Sequence, residues 1–194
     1  MNEQTAAMLD HVRTALPESG AHGFDHTLRV VRLAEEIGDR EGADMAVLLP
    51  AAVFPGHPRP PQEGTGAPHE EEGARMAESY LRSVRYPEYQ IPAIVHAIRA
   101  HRYSSGIAPK TLEARVLSDA DNLDAMGAVG IARTFIQSGA QGTGIPDAAG
   151  HVHDKLLNLK DRMYTESGRS IAEERHAFLL AFLDTLEGEM HTRM

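Results

Sequence analysis

Apolar positions along this chain recur every three or four residues, the period of amphipathic helices, and the two-residue alternation of strands is nearly absent. Leu9, Val12 and Leu16 mark a short first helix that Pro17-Glu18-Ser19-Gly20 stops. After the Gly23 break, Leu28, Val31, Leu33, Ala34 and Ile37 predict a longer helix over about 25–40, ended by Glu41-Gly42. Residues 45–54 are apolar nearly throughout, with Asp44 placed to cap them and Pro50 inside, where it removes a hydrogen bond and bends the helix. Residues 55–68, PGHPRPPQEGTGAP, hold five Pro and three Gly and read as a loop. Helical spacing resumes over about 69–84, 88–102 and 111–123, followed by a Gly- and Ala-rich helix over 125–138. A flexible connection over 139–150 leads to two last helices, at about 152–163 and 168–189. The expected class is all-α: about eight or nine helices in an irregular orthogonal bundle, since no heptad run persists.

Composition narrows the class further. At 194 residues the expectation is a single domain spanning 1–194, and with 5% aromatics and no Trp its core has to be built from Leu, Ile, Val, Ala and Met. A formal charge of -9 argues against a nucleic-acid polymer as partner, because backbone binding needs a basic stripe, yet it leaves room for a local basic pocket that takes a small phosphate. The absence of Cys removes disulfides, thiolate catalysis and Cys-based zinc sites. The start, MNEQTAAMLDHVRTAL, reads as an amphipathic helix and no apolar run reaches membrane-spanning length, so a soluble, cytoplasmic protein with no membrane partner is expected. A homodimer stays open.

Eleven His is a high count, but most imidazoles are structural. His11, His176 and His191 fall on polar faces or at the terminus and are given no role. The stretch HGFDHTLRVVRLAEEI, 22–37, differs: it sets Asp25 and His26 at a helix start, with Arg29 one turn on, against an apolar face that would fix a ligand's geometry. VLSDADNLDAMGAVGIARTF, 116–135, carries Asp119, Asp121 and Asp124; a solvated cap accounts for one or two of them, and Asp121 and Asp124 share a helix face. In VHAIRAHRYSSG, 95–106, His96 reads as a core histidine, whereas His101 precedes a loop beside Arg99 and Arg102, surroundings suited to an anion. HEEEGARMAESYL, from His69, also reads as an ordinary acidic helix start.

Together these motifs resemble the HD-domain phosphohydrolase superfamily, in particular its small stand-alone bacterial members. The likeness spans nearly the whole chain and is strongest in HAIRAHRYSSGIAPKTLEARVLSDADNLDAMGAVGIARTF, with a second stretch, KLLNLKDRMYTESGRSIAEERHAFLLAFLDTLEGE, near the end. The resemblance implies one or two divalent ions held by a first His, an adjacent His-Asp pair and a later Asp, the ion activating water against a phosphorus ester, usually of a nucleotide. A few relatives use two irons for oxygen chemistry. His26 matches the first His and Asp121 the last Asp, with Asp124 near the substrate; His69 and His101 match two further ligands of two-metal members.

The His-Asp pair, however, falls on Pro55 and Gly56, which offer no side-chain ligand. One imidazole and one carboxylate hold a catalytic ion poorly, since such sites take three or four protein ligands. Three alternatives follow. The metal site is abandoned; or it is rebuilt, by His57 curling inward at Gly56 or by His69 and His101 joining His26 and Asp121 around one Mn, Zn, Fe or Mg ion; or the correspondence is displaced. The first functional hypothesis is a hydrolase of a nucleotide or other small phosphorylated molecule. In it His26 and Asp121 hold the ion with help from His57, His69 or His101, Asp124 orients or deprotonates water, and Arg102 and Lys155 meet the substrate's charge. The second is a metal-free descendant that binds a small ligand, or catalyses a non-hydrolytic step, in the old pocket.

Overall fold

Among residues 3–14, 23–54, 69–102 and 105–191, those described in the computed structural model, nine α-helices follow one another. They are α1 (Glu3–Arg13), α2 (Phe24–Glu41), α3 (Met45–Val53), α4 (His69–Ser83), α5 (Ile91–Ala100), α6 (Leu112–Asp124), α7 (Gly127–Ala140), α8 (Ile145–His151) and α9 (Glu166–His191). A π turn, Val152–Leu156, and a 3-10 turn, Leu157–Arg162, join the last two. No strand occurs among the described residues, so the chain is all-α, as its periodicity requires.

The most apolar stretch, MAVLLPAAV, forms α3, and every residue from Val47 to Phe54 is buried. A helix apolar on all sides must be wrapped by others, and α1, α2, α5 and α6 pack around it. The expected cap is present: Asp44 accepts a hydrogen bond from Ala46 N–H at 2.9 Å. Packed against α2, which buries Val30, Ala34 and Ile37, α6 buries Val116, Leu117, Ala120 and Leu123. This pairing brings the first turn of α2 to the last turn of α6, where the candidate chemistry lies.

Several expectations need correction. Residues 139–150 are not simply a flexible connection, because they contain α8. Ile145-Pro146-Asp147 is a helix start, with Pro in the first turn and the Asp147 carboxylate accepting from Gly144 N–H at 3.4 Å. The helix expected at 152–163 is a π turn followed by a 3-10 turn. Val152, Leu156, Leu159 and Met163 are all buried, and one wide turn followed by tight ones keeps them facing inward, so their spacing alone does not separate this from an α-helix. α5 begins later than expected, after a turn in which Gln90 N–H meets Pro87 C=O. His11 is exposed, and its ring lies 4.5 Å from that of Tyr80, tilted by 36°. His96 is half-buried rather than in the core, its Nε2 accepting from Lys110 N–H at 3.1 Å.

Asp119, fully buried, ties α9 to α6. It accepts from the backbone N–H of Tyr164 and Thr165, both at 2.8 Å, and from the Thr165 hydroxyl at 2.6 Å. Burial pushes its pKa up against the pull of these donors. Glu41 takes Ser167 N–H at 2.7 Å, so two carboxylates meet the positive end of α9. Among the described residues no helix is long and apolar enough to cross a membrane.

Candidate functional site

Asp124, at the last turn of α6, is 1% exposed and surrounded by cations. Its Oδ2 lies 2.7 Å from His26 Nδ1 and 2.6 Å from Arg133 Nη1, and its Oδ1 2.6 Å from Arg29 Nε. Arg29 in turn spends Nη1 on Asp25, one turn earlier on α2, at 2.8 Å. Burial alone would push the Asp124 carboxyl up. The hydrogen bonds from His26 and Arg29, with the charges of His26 and Arg133, outweigh it and hold the group down at about 2. Arg175 of α9 adds a fourth donor nearby, capping the Leu123 carbonyl at 2.5 Å, where the negative end of α6 favours a cation. Gly127, at φ 66, leaves the room this needs, since a Cβ there would meet the Arg175 side chain at 3.2 Å.

An ionised Asp124 can only accept, so His26 Nδ1 carries the proton and donates it. The other ring nitrogen, Nε2, faces Asp121 Oδ1 at 3.5 Å. In a neutral imidazole with this tautomer both of those atoms are acceptors. A proton on the ring, a water donating to both, or a cation can be shared between these two acceptors. The arrangement also matches a ligating imidazole, whose second nitrogen is ordinarily fixed by a carboxylate.

Whether the residues present suit a divalent ion turns on how many donors converge. Among the described residues no group of three or more His, Asp or Glu side chains is placed to hold a metal, and two donors fall short of a catalytic set. His101 is 2% exposed, its Nδ1 2.5 Å from the Ile98 carbonyl; burial pushes its pKa down, and only partly does the charge of nearby Asp121 oppose this. It is buried next to Asp121, rather than open to an anion. Arg99, which was read as part of that anionic environment, is instead paired with Glu71 at 2.6 and 2.7 Å. His57, Pro55 and Gly56 lie outside the described residues. His69 starts α4, and its side chain lies outside them as well.

Of the residues expected at the site, the fold thus brings together His26, Asp121 and Asp124, with His101 beside Asp121 and Arg102 next to His101 in the chain. Lys155 lies on the other side of Arg133. The two line a cavity of about 280 Å³ between α7 and the α8 to π-turn segment. Arg133 was not singled out from the sequence. Its signal was available: it is the one charged residue in α7, GAVGIARTFIQSGA.

Known proteins resemble this chain in sequence and in fold. The HD-domain model matches residues 23–126, from the start of α2 to just past Asp124. The YpgQ protein of Bacillus subtilis (strain 168) is 34% identical over 191 residues, covering 89% of this chain and 86% of YpgQ. A crystal structure of YpgQ in complex with ADP superposes with a TM-score of 0.78 at 31% identity, covering 97% of this chain and 98% of that one. An HD-superfamily hydrolase from Bacillus thuringiensis gives a TM-score of 0.77 at 26% identity, with 98% of each chain covered. With its α2 and α6 ends meeting at His26, Asp121 and Asp124, and the family pattern running from residue 23 to 126, this chain belongs to the HD-domain family.

Proposed function

We propose that this chain, as one HD-type domain in the cytoplasm, binds a nucleotide or another small phosphorylated metabolite at the His26–Asp121–Asp124 centre and hydrolyses its phosphate ester. The observation that carries the reading is the imidazole of His26 clamped at Nδ1 by Asp124 at 2.7 Å and facing Asp121 through Nε2 at 3.5 Å. A base fixed in one tautomer by a buried carboxylate is the arrangement that general-base catalysis requires. Water between Nε2 and Asp121 passes one proton to Nε2 as its oxygen bonds to phosphorus; the ester P–O bond breaks, and the leaving oxygen departs with the bond pair and is protonated from solvent. Asp121, 21% exposed, orients that water. Asp124, acidic at about 2 and covered by two guanidinium groups, is a poor base; its role is to orient His26. Arg29 and Arg133 place positive charge where a phosphoryl group carries negative charge. The complex of the related YpgQ with ADP supports a phosphorylated ligand.

The facing acceptors His26 Nε2 and Asp121 Oδ1 also favour a second reading, an ion-dependent hydrolase in which His57 or His69 supplies further ligands. When bound, such an ion would polarise the phosphoryl oxygen and acidify water.

One experiment addresses both readings. Purified protein is incubated with a panel of nucleotides, in EDTA and in Mn2+, and phosphate or diphosphate release is measured alongside nucleotide binding by calorimetry. Turnover in EDTA that His26→Gln abolishes is the expected result. Turnover only with Mn2+ transfers the assignment to the second reading. Neither binding nor turnover with any nucleotide overturns both.

A further inference from the structure

We propose that the cavity between α7 and the α8 to π-turn segment is a subsite for a phosphoryl anion, taken by Arg133 and Lys155. This rests on the reading of a phosphorylated ligand and adds to it a place and two residues.

The chain as a whole is acidic, at a formal -9, yet among the described residues no carboxylate lines this cavity. Arg133, Lys155 and His151 line it, with Thr134, Gln137 and Leu156 completing the polar and apolar walls. Arg133 is already paired with Asp124 behind it, so Lys155 supplies the added positive charge that draws a small anion to the recess. Asp154 is close enough for its charge to reach His151, but it is not part of the lining. Arg133 is 14% exposed, so a hydrogen bond from its guanidinium to an anion works with little screening. Lys155 is exposed and comes from a separate element, so two cations approach from different walls. The backbone beneath Lys155 departs from α geometry, with Leu157 N–H reaching Val152 C=O, and π turns of this kind recur at binding sites.

Size and connection fix what the cavity takes. At about 280 Å³ it has ample room for a phosphoryl group. Arg133 links it to the reaction centre, because its Nη1 is 2.6 Å from the same Asp124 oxygen that His26 contacts. An anion held here is one side chain away from Asp124. It is either a phosphoryl group of the bound ligand that does not react, or free phosphate.

Calorimetry on the full chain with ADP, adenosine and inorganic phosphate tests this, comparing the wild type with Lys155→Gln, Lys155→Arg and, as an exposed cation elsewhere on the surface, Lys110→Gln. Lys155 is exposed, so its variants fold. The expected result is that Lys155→Gln weakens ADP by about 10-fold or more, the scale of one lost hydrogen bond to a charged group. Adenosine is unaffected, Lys155→Arg restores ADP, and Lys110→Gln changes little. Phosphate that binds alone and competes with ADP identifies the free anion as an occupant. Binding of ADP without phosphate binding identifies the ligand's own phosphoryl group. If the wild type binds ADP and Lys155→Gln binds it equally well, or if Lys110→Gln weakens it as much as Lys155→Gln does, the subsite is overturned while the reading of the centre stands. If the wild type binds neither ADP nor phosphate, that reading fails and the subsite fails with it.

Discussion

The carboxylate of Asp124 accepts the Nδ1 proton of His26 at 2.7 Å across 98 residues of sequence, and the same carboxylate neutralises Arg29 and Arg133. Removing one member of a buried charged network leaves the others uncompensated, at a cost of about 3 kcal/mol or more. Asp124→Asn keeps the shape and loses the charge. We expect it to lower unfolding stability by that amount in chemical denaturation, and to cost more than the loss of any single surface ion pair.

Acid should act on the same group. The folded value of Asp124, about 2, lies below its ordinary 3.8, so the folded state holds fewer protons than the unfolded one between those values. Its contribution is complete above about pH 3.8 and is lost as pH falls toward 2; a shift of this size corresponds to roughly 2 kcal/mol. Stability measured across that window should fall more steeply for the wild type than for Asp124→Asn. Parallel curves would reject the assignment.

The pair Glu71–Arg99 supplies the contrast. It is bidentate, at 2.6 and 2.7 Å, but each side chain is 38% exposed, so water and salt screen it. Glu71→Gln should cost less than about 1 kcal/mol, and less still in high salt.

Two glycines of α7 should respond in opposite directions. A Cβ on Gly130 would sit 2.1 Å from the Ala125 carbonyl oxygen, which is backbone and cannot swing away, whereas one on Gly139 would meet nothing within 4 Å. Gly130→Ala should destabilise by about 1–3 kcal/mol or more. Gly139→Ala should stabilise by about 0.5 kcal/mol, through the lower entropy of the unfolded chain and better helix propensity. Thermal melts of the two variants side by side decide it.

Arg85 closes α4 in the left-handed region at φ 56, with Tyr86 N–H returning to Leu81 C=O. A side chain is strained there by about 1 kcal/mol. Arg85→Gly should therefore raise the melting temperature despite adding a glycine; a drop would mean that the Arg85 side chain contributes more than its backbone costs.

Much of this protein is written locally. The three- to four-residue recurrence of Leu, Ile, Val and Ala specifies helices because burial rewards one face of each. Asp44 and Thr111 cap α3 and α6 through their own side chains, and the unbroken apolarity of MAVLLPAAV requires a helix enclosed by others. His26, Asp121 and Asp124 were legible as candidates because ionisable groups at the ends of apolar helices are costly to keep there without a partner. What needed the folded chain was every relation between distant segments. Arg133 becomes part of the centre only when α7 turns back at Gly127 and presents it to Asp124. Lys155 reaches the same cavity only through a π turn whose buried residues keep helical spacing, and Asp119 looks like a solvated cap until Tyr164 and Thr165 arrive from the start of α9. Periodicity records which face of a segment is buried but not what is buried against it. Charge pairing, tautomer and pKa depend on that second quantity, because Coulomb and hydrogen-bond energies are set by distances between groups the sequence keeps far apart.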